Sequence, residues 1–252
     1  ARVNPNTRTL PIFRTRQDAE FTLAIYERAP VLINEKTGEN PWNIRFSLMF
    51  MMNTDSHLFR TKADLEAAGY ERVANAYVKP GHPTYLPLYE AKMIWLYHHR
   101  YGTYAGVSDR SSTRLPTPPP ERLQDPAFLA QPWYWVPASE VHHALSTWKR
   151  PWMIGCRKIA RSTDERTAVI TLMPLAGAGD SMNLLLPDVG ALKAALLLSN
   201  LSSLPFDWTV RQKLGGVNLN LFYLKQLPVL LPEAYGAEAV GYVVPRVVEL
   251  VY

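Results

Sequence analysis

Trp152-Met153-Ile154-Gly155-Cys156-Arg157-Lys158-Ile159, Ala168-Val169-Ile170-Thr171-Leu172-Met173 and Met182-Asn183-Leu184-Leu185-Leu186 read as three strands in succession. Each is a short apolar run bounded by polar or turn-forming residues. The turn Gly177-Ala178-Gly179-Asp180 separates the last two. Val189 to Leu201 then reads as an apolar helix, and Pro205 to Lys213 as a second one ended by Gly215-Gly216. Asn220 to Tyr223 returns as a strand. Strands and helices alternate irregularly, which predicts a mixed α/β (α+β) fold, an irregular mixed sheet with packed helices.

Working outward, Arg16 to Arg28 carries Phe21 and Ile25 at helical spacing, with Thr15 as N-cap and Asp18 in the first turn. Pro30 to Ile33 reads as a short buried strand, and Ile44 to Met52 as a strand with apolar residues on both faces. Thr61 begins a short helix through Ala68, stopped by Gly69. Tyr85 to Tyr104 is rich in aromatic residues. The Pro-rich stretch Leu115 to Pro120 marks the best internal boundary, giving parts 1–114 and 133–252 around a loop at 115–132. Pro137 to Trp148 reads as helical, with Ser139 as its N-cap.

The 252 residues, 47% of them hydrophobic and 19% charged, suffice for a sizeable core and exclude a disordered chain. The net charge of +5, from 27 Lys+Arg against 22 Asp+Glu, suits a nucleic-acid partner without requiring one. A single cysteine, Cys156, excludes an internal disulfide and a cysteine-rich zinc site, and it reads as a small buried hydrophobe. No signal peptide opens the chain and no apolar run is long enough to span a bilayer, so the expectation is a cytoplasmic protein without a membrane partner. Ala1-Arg2-Val3 and the apolar helical pattern Val247 to Tyr252 read as cuts from a longer polypeptide.

Several patterns invite enzymatic readings. Glu90-Ala91-Lys92 has the Glu-x-Lys spacing of metal-dependent nucleases, in which the carboxylate binds Mg²⁺ and the lysine assists the attacking water. Such a site also needs an upstream acid, for which Asp55 and Asp64 are the nearby candidates. His98-His99 and His142-His143 chelate poorly because adjacent residues point in different directions. Asp55 and His57 lack further ligands, so no metal is expected. Ser111-Ser112 belongs to no nucleophile elbow.

The residues suited to DNA form a stronger group. Arg157, Lys158 and Arg161 end an apolar strand, and Thr163-Asp164-Glu165-Arg166-Thr167 makes the polar turn after it. Polar side chains on a loop held by strands are how base edges and phosphates are met. Arg grips guanine bidentately, Asn or Gln does the same for adenine, and Asp or Glu accepts from cytosine. Arg211, Gln212 and Lys213 precede Gly215-Gly216, which permit close approach of a backbone; Asn218, Asn220 and Lys225 follow. The same cations also suit a helix C-terminus. Trp95, Trp133 and Trp135 could stack on a displaced base, although most of the seven tryptophans must be core.

Read together, these phrases resemble the C-terminal half of the large N6-adenine DNA methylases of type IIG restriction–modification and phage-defence systems. The similarity is to their target-recognition region, the TaqI-like specificity class. Asn4-Pro5-Asn6-Thr7-Arg8-Thr9, Phe13-Arg14 and Asp18-Ala19-Glu20 resemble the segment leaving the methylase domain, and Asn53-Thr54-Asp55-Ser56-His57-Leu58-Phe59 a phrase after it. Leu86-Pro87-Leu88-Tyr89-Glu90-Ala91-Lys92-Met93-Ile94 is similar to a specificity-region phrase that usually has Gly where Ala91 stands. Thr163 to Thr167, and Phe222 to Pro232, resemble the specificity domain and its exit. The resemblance covers nearly the whole chain and implies a fold like the type I specificity subunits. It also implies duplex DNA as partner and a methylase domain in the same polypeptide that uses S-adenosylmethionine. The catalytic phrases are lacking: Asn40-Pro41-Trp42-Asn43 has one proline where the adenine-holding loop needs two, and no helix opens after Gly177-Ala178-Gly179. Recognition without catalysis is the expectation. A Mg²⁺ nuclease using Glu90 and Lys92, or a docking scaffold of a defence complex, are the alternatives.

Overall fold

Period-two alternation sorts the central strands onto two faces, and both faces are buried. The computed structural model describes residues 3–251, so Ala1, Arg2 and Tyr252 lie outside the described residues. In chain order the first half holds α1 (Arg16–Arg28), β1 (Ile44–Ser47), β2 (Arg60–Thr61), α2 (Lys62–Ala67), β3 (Glu71–Val73), β4 (Ala76–Val78), β5 (Tyr85–Tyr89) and α3 (Pro120–Leu123). The second half holds β6 (Tyr134–Pro137), α4 (Ala138–Ala144), β7 (Trp152–Arg157), β8 (Ile170–Pro174), β9 (Gly177–Ala178) and β10 (Met182–Pro187). It closes with α5 (Ala191–Leu201), α6 (Leu204–Lys213), α7 (Leu221–Lys225) and α8 (Ala237–Val251).

An antiparallel sheet in the order β1-β10-β7-β8 forms the middle layer. Ile44, Ile154, Cys156, Ile170 and Leu185 point to one core, shared with α5, α6, α7 and Val247 of α8. Met153, Met173, Met182, Leu184 and Leu186 point to the other, shared with Leu88, Val136 and Val141. Burial on both sides explains why β10 is apolar at nearly every position. The second sheet runs β2-β6-β5-β4-β3, with β9 lying parallel to β5. The fold is thus mixed α/β, with antiparallel sheets and packed helices.

Local rules set most boundaries. Thr15 and Thr61 each accept from the backbone three residues on, and Asp18 and Asp64 return the bond, so both helices open on a capping box. Gly69, at φ +79°, ends the second. Cys156 is a buried free thiol, as its apolar setting foretold.

Five expectations need correction. The strand at Ile44 stops at Ser47, because the Asp55 carboxylate takes the Met51 N–H at 2.7 Å and turns the chain. Leu221 to Tyr223 is helical rather than a strand, with Asn220 at the N-cap, its carbonyl accepting from Tyr223 and Leu224. Pro137, not Ser139, stands at the N-cap of α4. Gly215-Gly216 do not terminate α6, which ends at Leu214 in an extended conformation. Gly177-Ala178 is a strand rather than a turn, because it pairs in parallel with Leu88 and Tyr89 of β5; a Cβ at Gly177 would lie 2.7 Å from Val136 Cγ2, so a larger residue there forces its neighbours to shift.

The loop at 115–132 does not part the sheets. β6, after it, pairs with β2 and β5 before it, and β1 pairs with β10. Pro30 to Ile33 forms no strand: Val31 and Leu32 are buried, Pro30 is exposed and Ile33 half-buried, and the segment makes a single bridge, Val31 to Pro228.

Gly102 offers a test of this packing. A Cβ there would meet the Lys92 carbonyl oxygen at 2.6 Å. Gly102→Ala is expected to lower the urea-unfolding free energy by about 1–3 kcal/mol, while Gly236→Ala, with open space around it, leaves it nearly unchanged.

Candidate nucleic-acid interface

Two loops far apart in sequence meet at one end of the central sheet. The chain leaving β7 pairs with the chain leaving α6: Leu219 N–H donates to the Lys158 carbonyl at 2.7 Å, and Ala160 N–H to the Val217 carbonyl at 3.0 Å. Ile159 and Asn218 form a bridge between them. Beneath, the buried Asn183 amide donates to the Leu219 carbonyl at 2.8 Å. The two segments expected to read DNA are therefore one hydrogen-bonded unit.

A carboxylate that the sequence reading passed over holds this unit from below. Asp207 is 3% exposed and accepts from the backbone N–H of Thr167 at 2.8 Å and of Ala168 at 2.7 Å. Arg211, one helical turn on, donates from Nε to Asp207 at 2.8 Å and from Nη1 and Nη2 to the carbonyls of Ser162 and Glu165. Arg166 Nε stands 3.5 Å from the same carboxylate, while its Nη2 donates to the Ser202 carbonyl at 2.6 Å. A buried carboxylate persists only when its oxygens are paired, and here the partners are the loop itself. The i, i+4 spacing of Asp207 and Arg211 was the available signal.

Many of the candidate contacts are engaged inside the fold. Arg157 turns inward, donates to the Ile94 carbonyl and lies 4.9 Å from the Trp95 ring, where burial lowers its proton affinity. Arg166 and Arg211 support the loop. Lys213 donates to the Val3 and Gln226 carbonyls, and Lys225 pairs with Glu35 at 2.5 Å. Asn220 opens α7 without a side-chain capping bond. Asp164 accepts from the Arg161 N–H at 3.0 Å, tightening the turn. Lys158, Arg161, Thr163, Glu165 and Asn218 remain with no side-chain hydrogen bond or ion pair among the described residues, and the backbone pairing sets all five on the one unit.

Beside this projection runs a cleft of about 790 Å³. Asn4, Thr7 and the extended segment Thr9 to Arg14 form one wall; Ser162, Trp208, Gln212, Gly215, Phe222 and Tyr223 form much of the other. The rings of Phe222 and Tyr223 are 4.1 Å apart. Arg14 and Gln212, neither engaged by another described side chain, offer donors into it. A smaller apolar hollow of about 370 Å³ adjoins it around Phe21, Leu204, Pro205 and Trp208.

The other motifs have structural partners. Glu90 pairs with Arg110 at 3.2 Å, and Lys92 donates to the carbonyls of Arg110 and Ser112, both at 2.7 Å. Together they brace the 110–112 turn. Asn40 bonds both backbone groups of Ile44, and Trp42 is buried with its N–H on the Leu230 carbonyl. Trp135 is core, Trp133 packs edge-on to Tyr104, and Trp95 stacks on Tyr101. His57 bonds the Thr54 carbonyl, and His142 and His143 are exposed on α4. His99 sits 3.2 Å from the Tyr89 hydroxyl, and burial, then Arg100 and His98, push its imidazole down to about 4.

Two outcomes follow from this geometry. Asp207→Ala strands Arg211 and two backbone N–H groups, and is expected to cost about 3–5 kcal/mol in urea unfolding, with faster amide exchange at Thr167 and Ala168. For His99, the unfolded chain binds a proton near pH 6.5 and the folded one only near 4. Stability should therefore fall as pH drops from 6.5 to about 4, and His99→Gln should flatten that slope in thermal unfolding. No family model and no curated protein matches this chain.

Proposed function

We propose that this chain recognises a DNA sequence, as the target-recognition part of an adenine-N6 methylase polypeptide. The observation that supports this most is the interlock of the 158–167 and 214–220 loops into one projection, with Arg161, Thr163 and Glu165 exposed beside the apolar Ile159 and Val217, fixed from beneath by Asp207 and Arg211. A rigid projection meets base edges with little conformational entropy left to lose on binding. Lys158 and Arg161 neutralise phosphates, while Thr163, Glu165 and Asn218 offer acceptors and donors to base edges. Arg14 and Gln212 extend the same face into the cleft. S-adenosylmethionine and the transfer chemistry belong to the methylase part of the parent. Arg157, Arg166, Arg211, Lys213 and Lys225 are engaged within the fold, so direct contacts fall to these neighbours.

One observation favours a second reading, docking of another protein. Leu10 and Ile12 are each 88% exposed, Leu204 71%, Phe21 51% and Phe222 47%, and all of them line or adjoin the two hollows. An apolar surface of this kind is a mark of protein contact. Glu90 and Lys92, tied to the Arg110 turn, give the nuclease reading no support.

A salt series separates the two readings. Duplex DNA should bind with an affinity that falls steeply with salt, and the double variant Lys158→Ala/Arg161→Ala should reduce the slope of log K against log salt by roughly two. The Arg157→Ala variant should leave that slope unchanged. Salt-independent binding, or none at low salt, favours docking.

A further inference from the structure

α8 turns Val240, Val243, Val244 and Val247 toward α5 and the core, yet its outer side is apolar as well. Tyr242 is 61% exposed, Val248 55% and Leu250 57%, with Gly241 and Pro245 exposed beside them. A surface helix ordinarily turns charge to water on that side. The charged side chains of α8 are Glu238, Arg246 and Glu249, all exposed. Among the described residues none of them forms an ion pair.

The spacing of these charges points to one kind of partner. Glu238, Tyr242 and Arg246 stand at i, i+4 and i+8, so they follow one side of the helix with the ring midway. The Arg246 guanidinium lies 3.7 Å from the Tyr242 ring centroid and donates to the Tyr242 carbonyl at 2.9 Å, which holds the two side chains together. We propose that this side of α8 joins two copies of the chain, packed antiparallel about a two-fold axis at Tyr242. In such a pair a residue before Tyr242 lies level with the one equally far after it in the other copy. Glu238 of each copy then meets Arg246 of the other, and the axis makes the contact twice.

The remaining groups suit the same arrangement. Tyr242 meets its counterpart on the axis, and tyrosine and arginine are enriched at interfaces. Glu249 comes level with Gly236 of the other copy, where the first N–H groups of the helix lack an intrahelical acceptor and favour an acid. Gly241 has open space where a Cβ would stand, so no side chain holds the helices apart there. Parallel packing would instead set Glu238 against Glu238 and Arg246 against Arg246, which like charge opposes. A helix of 15 residues is only about 22 Å long. Its paired face lies near the lower bound of about 1,000 Å² for a specific interface, so the dimer is a reversible one. The pairing does not depend on what the cleft holds.

Sedimentation velocity of the full chain over a concentration series tests this. The parent should pass from monomer to dimer as concentration rises. Glu238→Arg and Arg246→Glu each set like charges face to face at both contacts, and each alone should weaken the dimer at least about tenfold. An equimolar mixture of the two variants should regain it, because every reversed side chain then meets the opposite charge on the other chain. A parent that stays monomeric overturns the pairing and gives this face to a different protein. A dimer that neither reversal weakens, or a mixture that does not regain it, overturns the pairing too. Should a reversal fail to fold, Tyr242→Cys decides, since Cys156 is buried. Mild oxidation links two copies across the axis if they pack as proposed, and leaves monomers if they do not.

Discussion

The Asp207 carboxylate is the constraint on which the exposed loops depend. Removed from water, it is satisfied by two backbone N–H groups of the loop after β7 and by the guanidinium of Arg211. That guanidinium spends its remaining donors on two carbonyls of the same loop. One helix thus dictates the path of a polar segment that has few apolar contacts of its own. The arrangement also explains why cations with the chemistry for phosphate contact are spent inside: a buried acid must be balanced, and the nearest arginines do it.

The layering sets where this projection stands. A sheet buried on both faces needs helices on one side and a second sheet on the other, leaving strand ends as the places for irregular chain. The loops after β7 and α6 emerge at one such end and pair with each other instead of with water. The N-terminal segment then runs past them, tied by Gln226 and Lys213, and creates the cleft. Paired loops, a cleft and exposed apolar residues therefore share one face, and it is on this face that the proposed contact rests.

Much of the fold was legible, and particular residues show why. Thr15-x-x-Asp18 and Thr61-x-x-Asp64 are local signals, and local hydrogen bonds delivered both helix starts. The strands at Trp152, Ile170 and Met182 were legible because burial on both faces makes continuous apolar runs. Asn220 to Tyr223 was misread because four apolar-rich residues fit either period. Gly177 was misread because its pairing partner, Leu88 of β5, lies far off in sequence. Of the candidate site, the sequence conveyed residue type but not direction. Arg161 is exposed and Lys158 half-exposed, while Arg157 at the end of β7 turns inward to the Ile94 carbonyl and the Trp95 ring.

The central claim is that the 158–167 and 214–220 projection touches DNA. Its most direct test is site-resolved photocrosslinking, with a benzophenone side chain placed at Thr163, at Gly216, or at the exposed Val73 on the β3–β4 hairpin. Crosslinks to duplex DNA are expected from Thr163 and Gly216 and none from Val73. Equal yields from all three positions, or none from Thr163 and Gly216, would contradict it.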